Sequence, residues 1–148
     1  MSISPPLILP RQIHNAMAQQ AFSERPNECC GLLSGILHPD RREVKTRWPL
    51  PNAANSPSAY RVDAKNLFTS FREMRARGEE LLAIYHSHPT SWAVPSRFDH
   101  ADWNYGPDVA CVILSLAGDE CQLRAWSLDQ NRHTEIEWRI AEEGEARL

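Results

Sequence analysis

Two histidines stand two positions apart in His86-Ser87-His88-Pro89. The stretch before them, Leu81-Leu82-Ala83-Ile84-Tyr85, is apolar throughout, as a strand buried on both faces requires. Residues two apart on a strand face the same side, so the two imidazoles come together at its carboxyl end. Pro89 then ends the pairing and turns the chain into a loop over 90–95. Open-sheet enzymes place ligands beyond the carboxyl ends of their strands. Two His and one carboxylate form a known ligand set for catalytic zinc, with a fourth position left for water. Zinc lowers the pKa of that water from about 15.7 to about 7 and so makes hydroxide available at neutral pH. Asp99, Asp102 and Asp108 all follow within reach, and spacing alone does not choose among them. A plainer reading exists for the same residues. A His-x-His pair can be two satisfied polar side chains at a sheet end. Ser96-x-x-Asp99 is a capping-box pattern, in which both side chains serve backbone N–H groups at a helix start.

The elements that must position these residues follow from periodicity and punctuation. Residues 1–10 form an extended lead-in. Over 11–25, Ile13, Ala16, Met17 and Ala21 recur at helical spacing, and Pro26 stops the helix. Residues 29–36 make a short apolar strand that ends at His38-Pro39-Asp40, and 42–48 alternate as a second strand. The Pro-, Asn- and Ser-rich segment 49–58 is a loop. Asp63 is an N-cap; after it Leu67, Phe68, Phe71 and Met74 form an apolar stripe, and Gly78 closes the helix behind Arg75 and Arg77. A strand over 81–85 leads to the histidines, and a short helix begins at Ser96 and ends near Gly106-Pro107. Three strands follow over 110–116, 122–127 and 134–140, with a hairpin turn at Gly118-Asp119 between the first two. No repeat, low-complexity tract or linker interrupts this order. The expectation is one α/β (α+β) domain with a mixed sheet over residues 1–148.

Composition narrows the function classes. The chain has 148 residues, 42% hydrophobic and 24% charged, the balance of a soluble globular protein. A net charge of −3 with no long basic run gives no field for nucleic acid or anionic lipid. The longest apolar run, 109–114, is far short of the roughly 20 residues a membrane-spanning helix needs. The N-terminus has no basic region, and its prolines break up any signal-peptide core, so a cytoplasmic location is expected. Cys29, Cys30, Cys111 and Cys121 form no C-x-x-C pair and read as small buried hydrophobes, with Cys29 and Cys30 on opposite faces of one strand. His14, His38, His100 and His133 read as structural or exposed, and the five tryptophans as packing. Trp92, in the loop between the candidate ligands, is the exception to watch.

The spacing H-S-H-P followed by P-S-x-x-D, with ten residues between His88 and Asp99, resembles the signature of the JAMM (MPN-plus) metallopeptidases. Pro26-Asn27-Glu28-Cys29-Cys30-Gly31-Leu32-Leu33-Ser34-Gly35 is similar to the family's first strand after the first helix, and Glu28 falls on its catalytic glutamate. Tyr60-Arg61-Val62-Asp63 and the strand leading into the histidine pair add to the likeness, which runs from about residue 13 to 116. The resemblance implies a cytidine-deaminase-like MPN fold, a mixed central sheet flanked by helices. It implies Zn²⁺ held by His86, His88 and Asp99, with Glu28 taking a proton from the attacking water and passing it to the leaving amine. It also implies Ser96 as the donor to the developing oxyanion.

Eukaryotic members of the family cleave ubiquitin-type isopeptide bonds and carry insertions that grip ubiquitin. This chain is too short for large insertions and looks more like the stand-alone bacterial members. The substrate this implies is the C-terminal tail of a small ubiquitin-like sulfur-carrier protein ending in Gly-Gly, bound as an added strand beside the site. Two other readings compete. One is a hydrolase of peptidoglycan or other peptides, which the absent signal and wall-binding module disfavour. The other is a metal-free MPN scaffold, which would lack one or more ligands, whereas Glu28, His86, His88, Ser96 and Asp99 are all in place.

Overall fold

In the computed structural model, which describes residues 4–141, the chain runs β1 (Leu7–Leu9), α1 (Arg11–Ser23), β2 (Cys30–Leu37), β3 (Arg42–Leu50), α2 (Ala64–Ala76), β4 (Glu80–His88), α3 (Arg97–Asp102), β5 (Ala110–Ser115), β6 (Gln122–Asp129), β7 (Arg132–Ile136) and β8 (Trp138–Ile140). The strands form one mixed eight-stranded sheet in the order β7-β6-β5-β4-β2-β3-β1-β8. β4, which ends on the histidine pair, lies inside it, antiparallel to β2 and parallel to β5. The α/β expectation of a mixed sheet flanked by helices holds.

Alternation along the central strands sorts the interior into two sides. Cys29, Leu33, Ala83, Tyr85, Val112, Leu114 and Ala125 share one apolar cluster with Met17 and Ala21 of α1. Cys30, Leu32 and Ile84 share another with Met74 of α2, bordered by Leu67 and Phe71. Neighbouring Cys29 and Cys30 thus fall on opposite sides of β2, both buried and free, as expected. Gly31 is required by close approach. It sits opposite Tyr85, and a Cβ on it would fall 2.3 Å from the Tyr85 ring. The α2 boundaries follow the sequence signals. The Asp63 carboxylate accepts the Lys65 N–H at 3.0 Å, and Gly78 takes the left-handed φ of 69° that ends the helix.

Three features depart from the expectation. The lead-in contains β1, which pairs in parallel with both β3 and β8. Strand β3 runs on through Pro49, which a ladder tolerates there because β1 pairs only with Arg42 and Glu43 and leaves the rest of that side of β3 open. The expected strand 134–140 is two strands on opposite edges of the sheet, β7 beside β6 and β8 beside β1. Glu137 alone separates them, so the sheet must curl until its two edges meet. The Trp138 indole N–H in β8 accordingly donates to the Leu123 carbonyl in β6 at 3.0 Å. The last short helix also stops earlier than expected, at Asp102, where Trp103 takes an extended backbone. No helix of the described residues is long and apolar enough to cross a membrane.

Candidate metal centre

The β2–β4 register puts Cys30 opposite His86, and the Ser87 N–H donates to the Cys29 carbonyl at 3.1 Å. One further step places Glu28 opposite His88. By the twofold alternation of strands, Glu28, Cys30, His86 and His88 then share a side, the one that continues Leu32 and Ile84 toward the carboxyl end of β4. The segment leading into β2 therefore brings the glutamate to the metal motif, although 57 residues lie between Glu28 and His86.

Asp99 arrives from the other direction. The loop after β4 is pinned to the sheet at three successive carbonyls: His88 Nδ1 donates to Trp92 O at 2.8 Å, Ser115 Oγ to Ser91 O at 2.6 Å, and the Trp126 indole to Ala93 O at 2.9 Å. α3 then opens with a capping box, in which the Ser96 hydroxyl accepts the Asp99 N–H at 3.0 Å and Asp99 Oδ2 accepts the Ser96 N–H at 2.8 Å. The cap turns the Asp99 carboxylate toward the histidines. Oδ1 lies 3.1 Å from His86 Nε2, and Oδ2 lies 3.1 Å from His88 Nε2. Capping and clustering are thus compatible: Oδ1 faces His86 free of the cap, while Oδ2 accepts the Ser96 N–H and also faces His88. Of the three carboxylates that spacing left open, Asp99 is buried with both histidines, whereas Asp102 and Asp108 are exposed and outside the group.

The three groups fit a cation better than they fit one another. His88 Nδ1 must carry its proton to reach the Trp92 carbonyl, so a neutral His88 turns the Nε2 lone pair toward the Asp99 carboxylate. His86 Nε2 and His88 Nε2 are also 3.2 Å apart. With His88 neutral, a proton on His86 Nε2 can serve either His88 Nε2 or Asp99 Oδ1, and the His88 lone pair still opposes the Asp99 carboxylate. Donors about 2.0–2.1 Å from a tetrahedral zinc lie about 3.3 Å apart along the tetrahedron's edges, close to the 3.2 Å between the two imidazole nitrogens and to the 3.1 Å from each of them to its own Asp99 oxygen. Burial lowers the His86 pKa and favours the neutral imidazole a metal needs. Without a cation the imidazoles must serve Asp99 as donors. Burial opposes ionisation of Asp99, but protonated His86 and His88 and the Ser96 N–H outweigh it and hold the carboxyl well below the usual range. In return the His88 pKa is raised, burial being outweighed by its hydrogen bonds to Asp99 and the Trp92 carbonyl.

Glu28 is buried beside this group. Its Oε1 has no hydrogen-bond partner, and burial, offset in part by His88 and reinforced by Asp99, pushes its pKa up to about 8. A buried carboxyl that holds its proton to that range is suited to carry one. A divalent cation nearby would draw the value down toward neutrality. Ser96 Oγ accepts from Asp99 N–H, and its own proton remains free to donate.

Two positioning residues were not legible in the sequence. Asn52, inside the segment read only as a loop, donates to the Glu28 and Ala59 carbonyls at 2.9 and 3.0 Å and accepts the Ala54 and Arg61 N–H groups. It ties the backbone of the glutamate to the loop over 52–61. Tyr60, at the end of that loop, stacks on the His86 ring with centroids 4.7 Å apart. The Tyr60-Arg61-Val62-Asp63 motif was the available signal, but no local pattern assigns its tyrosine to a ring 26 residues away. The remaining histidines lie elsewhere: His38 pairs with Glu43, His14 stacks on Trp138, and His100 meets His133 at 2.9 Å.

Residues 10–129 match the family described as prokaryotic homologs of the JAB domain. The chain belongs to that family. It is 36% identical over 109 residues to the CysO-cysteine peptidase of Mycobacterium tuberculosis, covering 74% of this chain and 73% of the relative. It is also 36% identical over 125 residues to the probable TtuB-protein conjugate cleaving protease of Thermus thermophilus, covering 79% and 81%. The solution structure of a Desulfitobacterium hafniense protein superposes with a TM-score of 0.83 at 30% identity, covering 92% of this chain and 93% of that one. The curled mixed sheet is thus shared with a relative over nearly the whole chain.

Proposed function

We propose that this chain is a zinc-dependent peptidase that hydrolyses the amide bond at the C-terminal tail of a small ubiquitin-like sulfur-carrier protein. The observation that supports it most is the convergence of three buried donors at coordination spacing beside a buried, unpartnered carboxyl. The names of the mycobacterial and Thermus relatives, a peptidase of CysO-cysteine and a protease of TtuB conjugates, support the substrate class. Nothing observed favours a metal-free scaffold, whose ligand set would be incomplete, or a wall hydrolase.

In this reading His86 Nε2, His88 Nε2 and an Asp99 oxygen hold the metal. Once bound, zinc supplies a Lewis acid for the scissile carbonyl and an acidified water for attack. The chain's own residues do the rest. Glu28 takes the proton of the attacking water and returns it to the leaving amine nitrogen, a transfer its raised pKa suits. Ser96 donates its free proton to the carbonyl oxygen as that oxygen gains charge. His88 is held in its tautomer by the Trp92 carbonyl, the kind of outer partner that orients a ligand imidazole. Tyr60 covers one face of His86 and keeps bulk water from it.

The test uses metal-loaded protein and a carrier from the same genome bearing an extension after its Gly-Gly end. Mass spectrometry should find the extension released, chelation should stop the release, and added zinc should restore it. Stoichiometric zinc with every extended carrier left intact would sink the substrate assignment; purification without any bound divalent metal would sink the site.

A further inference from the structure

A cavity of about 510 Å³ lies beside the metal group and shares none of its residues. Tyr60 stands between the two: it lines the cavity, and its ring stacks on His86. The floor of the cavity is apolar. Leu32 and Ile84, a cross-strand pair of β2 and β4, meet Val62 and Leu67 there. Arg61, Asp102, Asn104 and Tyr105 add polar groups around it. Volume and lining both match a small-molecule site, in which a few convergent polar groups stand over an apolar surface.

These polar groups have bonding capacity to spare. Among the described residues, the Tyr60 and Tyr105 hydroxyls, the Asp102 carboxylate and the Asn104 amide make no hydrogen bond, and the Arg61 guanidinium makes one, of 3.5 Å, to the Ala53 carbonyl. Tyr60 is partly buried, and a tyrosine hydroxyl withdrawn from water normally finds a partner. Arg61 and Asp102 carry opposite charges beside one cavity, yet neither enters an ion pair with the other or with any described residue. The walls themselves are held. The Arg61 N–H donates to Asn52 Oδ1 at 3.1 Å, and the Arg61 carbonyl accepts the Ala53 N–H at 2.8 Å. Across the cavity the Trp103 indole donates to the Gly106 carbonyl at 2.8 Å and packs edge-on against Tyr105. A site already held in shape loses little to ordering when a ligand arrives.

A cation and an anion kept apart over an apolar floor complement a molecule that bears a carboxylate, an ammonium group and an apolar side chain. We propose that this cavity binds a free α-amino acid with an apolar side chain, its carboxylate at Arg61, its ammonium at Asp102 and its side chain against Leu32, Val62, Leu67 and Ile84. Tyr60 then meets the ligand as well as His86, so the metal centre is one ring away from it. One consequence rests on the peptidase reading above: hydrolysis of a one-residue extension releases an amino acid, and the cavity would bind that product beside the site that forms it.

The experiment titrates zinc-loaded protein with L-leucine by calorimetry and follows the Tyr60 ring signals by NMR. Leucine should bind and shift those signals. Leucinamide, N-acetylleucine and glycine lack in turn the carboxylate, the ammonium and the side chain, and each should bind about tenfold more weakly or worse. Arg61→Gln should weaken leucine about tenfold and leave leucinamide, which has no carboxylate to lose, unchanged. Asp102→Asn should do the same for leucine against N-acetylleucine. Both side chains are exposed, so Tm and zinc content should match the wild type. No binding of leucine, equal binding of all four probes, or leucine affinity unmoved by either substitution would overturn the proposal. Leucine affinity that falls on chelation of zinc but not in Arg61→Gln would place the amino acid on the metal and overturn it too. A peptide ending in Gly-Gly that binds more tightly than leucine and is weakened in both variants would assign the cavity to the substrate chain, with the same result. None of these readouts needs turnover, so their failure leaves the peptidase reading standing, and an uncleaved carrier leaves the amino-acid site standing.

Discussion

Alternate residues of β4 face two different interiors. Toward α1, Ala83, Tyr85 and Ser87 lie in a side where the polar groups are satisfied. The Tyr85 hydroxyl donates to Gln20 Oε1 at 2.6 Å, and Ser87 Oγ accepts the Cys29 N–H at 2.8 Å. On the other side, Ile84, His86 and His88 lead to Glu28 Oε1 and His86 Nδ1, two of the three buried side-chain atoms of the described residues that lack a hydrogen-bond partner. Leaving a buried polar atom unpaired costs about 1–3 kcal/mol. One strand thus builds a satisfied core with one set of side chains and an unsatisfied, charge-bearing pocket with the other. Stability accounts for the first side. The second makes sense only with chemistry to perform.

The sharpest way to break this contrast is to remove the carboxylate that unites the second side. Asp99→Ala should abolish both metal retention and turnover, while Asp102→Ala should leave both near wild type; metal analysis by mass spectrometry checks this. Metal loss in the Asp102 variant alone would reassign the ligand. Glu28→Gln should keep the metal and lower kcat by about 10²–10⁴. It tests whether the unpaired carboxyl is a proton carrier or merely a tolerated defect, since a defect should leave kcat unchanged. Ser96→Ala should cost about 10²–10³ in kcat if its free proton meets the oxyanion. A drop in Tm with kcat unchanged would make the serine a cap alone.

The satisfied side should respond in the opposite way. Gly31→Ala pushes a methyl into the Tyr85 ring. It should cost about 2–3 kcal/mol of stability, read by denaturant unfolding, with kcat per folded molecule unchanged. An equal loss of kcat would mean that the two sides are mechanically coupled.

The sequence made some parts of this arrangement legible and hid others for physical reasons. The histidine pair was readable because strand alternation is local, and the Asp63 cap and the Gly78 stop of α2 because they are written in single residues. Asp99 could not be told from Asp102 and Asp108, since the choice depends on how the loop 89–95 is pinned by Ser115 and Trp126 from β5 and β6. Glu28 became readable only through family likeness, because its partner strand lies far along the chain. The split of 134–140 into two edge strands could not be foreseen from alternation, since Glu137 is neither glycine nor proline and the break follows from the curl of the whole sheet. Asn52 looked like turn composition, while its task is to hold the glutamate's backbone.

The finest test of the contrast is the pH dependence of stability in metal-stripped protein. The Glu28 carboxyl is pushed up to about 8 in the folded state from its ordinary value of 4.5, chiefly by burial. Between those values the folded state holds a proton that the unfolded state has released, so stability must fall as pH rises through this window. Glu28→Gln has no such proton. Wild-type protein should therefore lose about 1–2 kcal/mol relative to Glu28→Gln between pH 5 and pH 8, less than the full shift would give because water can reach a site that opens to substrate. Comparing denaturant midpoints of the two proteins cancels the groups remote from Glu28 and leaves this carboxyl together with its coupling to His88. Zinc should shrink or reverse the difference, since a neighbouring cation favours the ionised carboxylate. Parallel pH profiles for the two metal-free proteins would mean that Glu28 already ionises freely there, and the two sides of β4 would then differ in geometry but not in electrostatics.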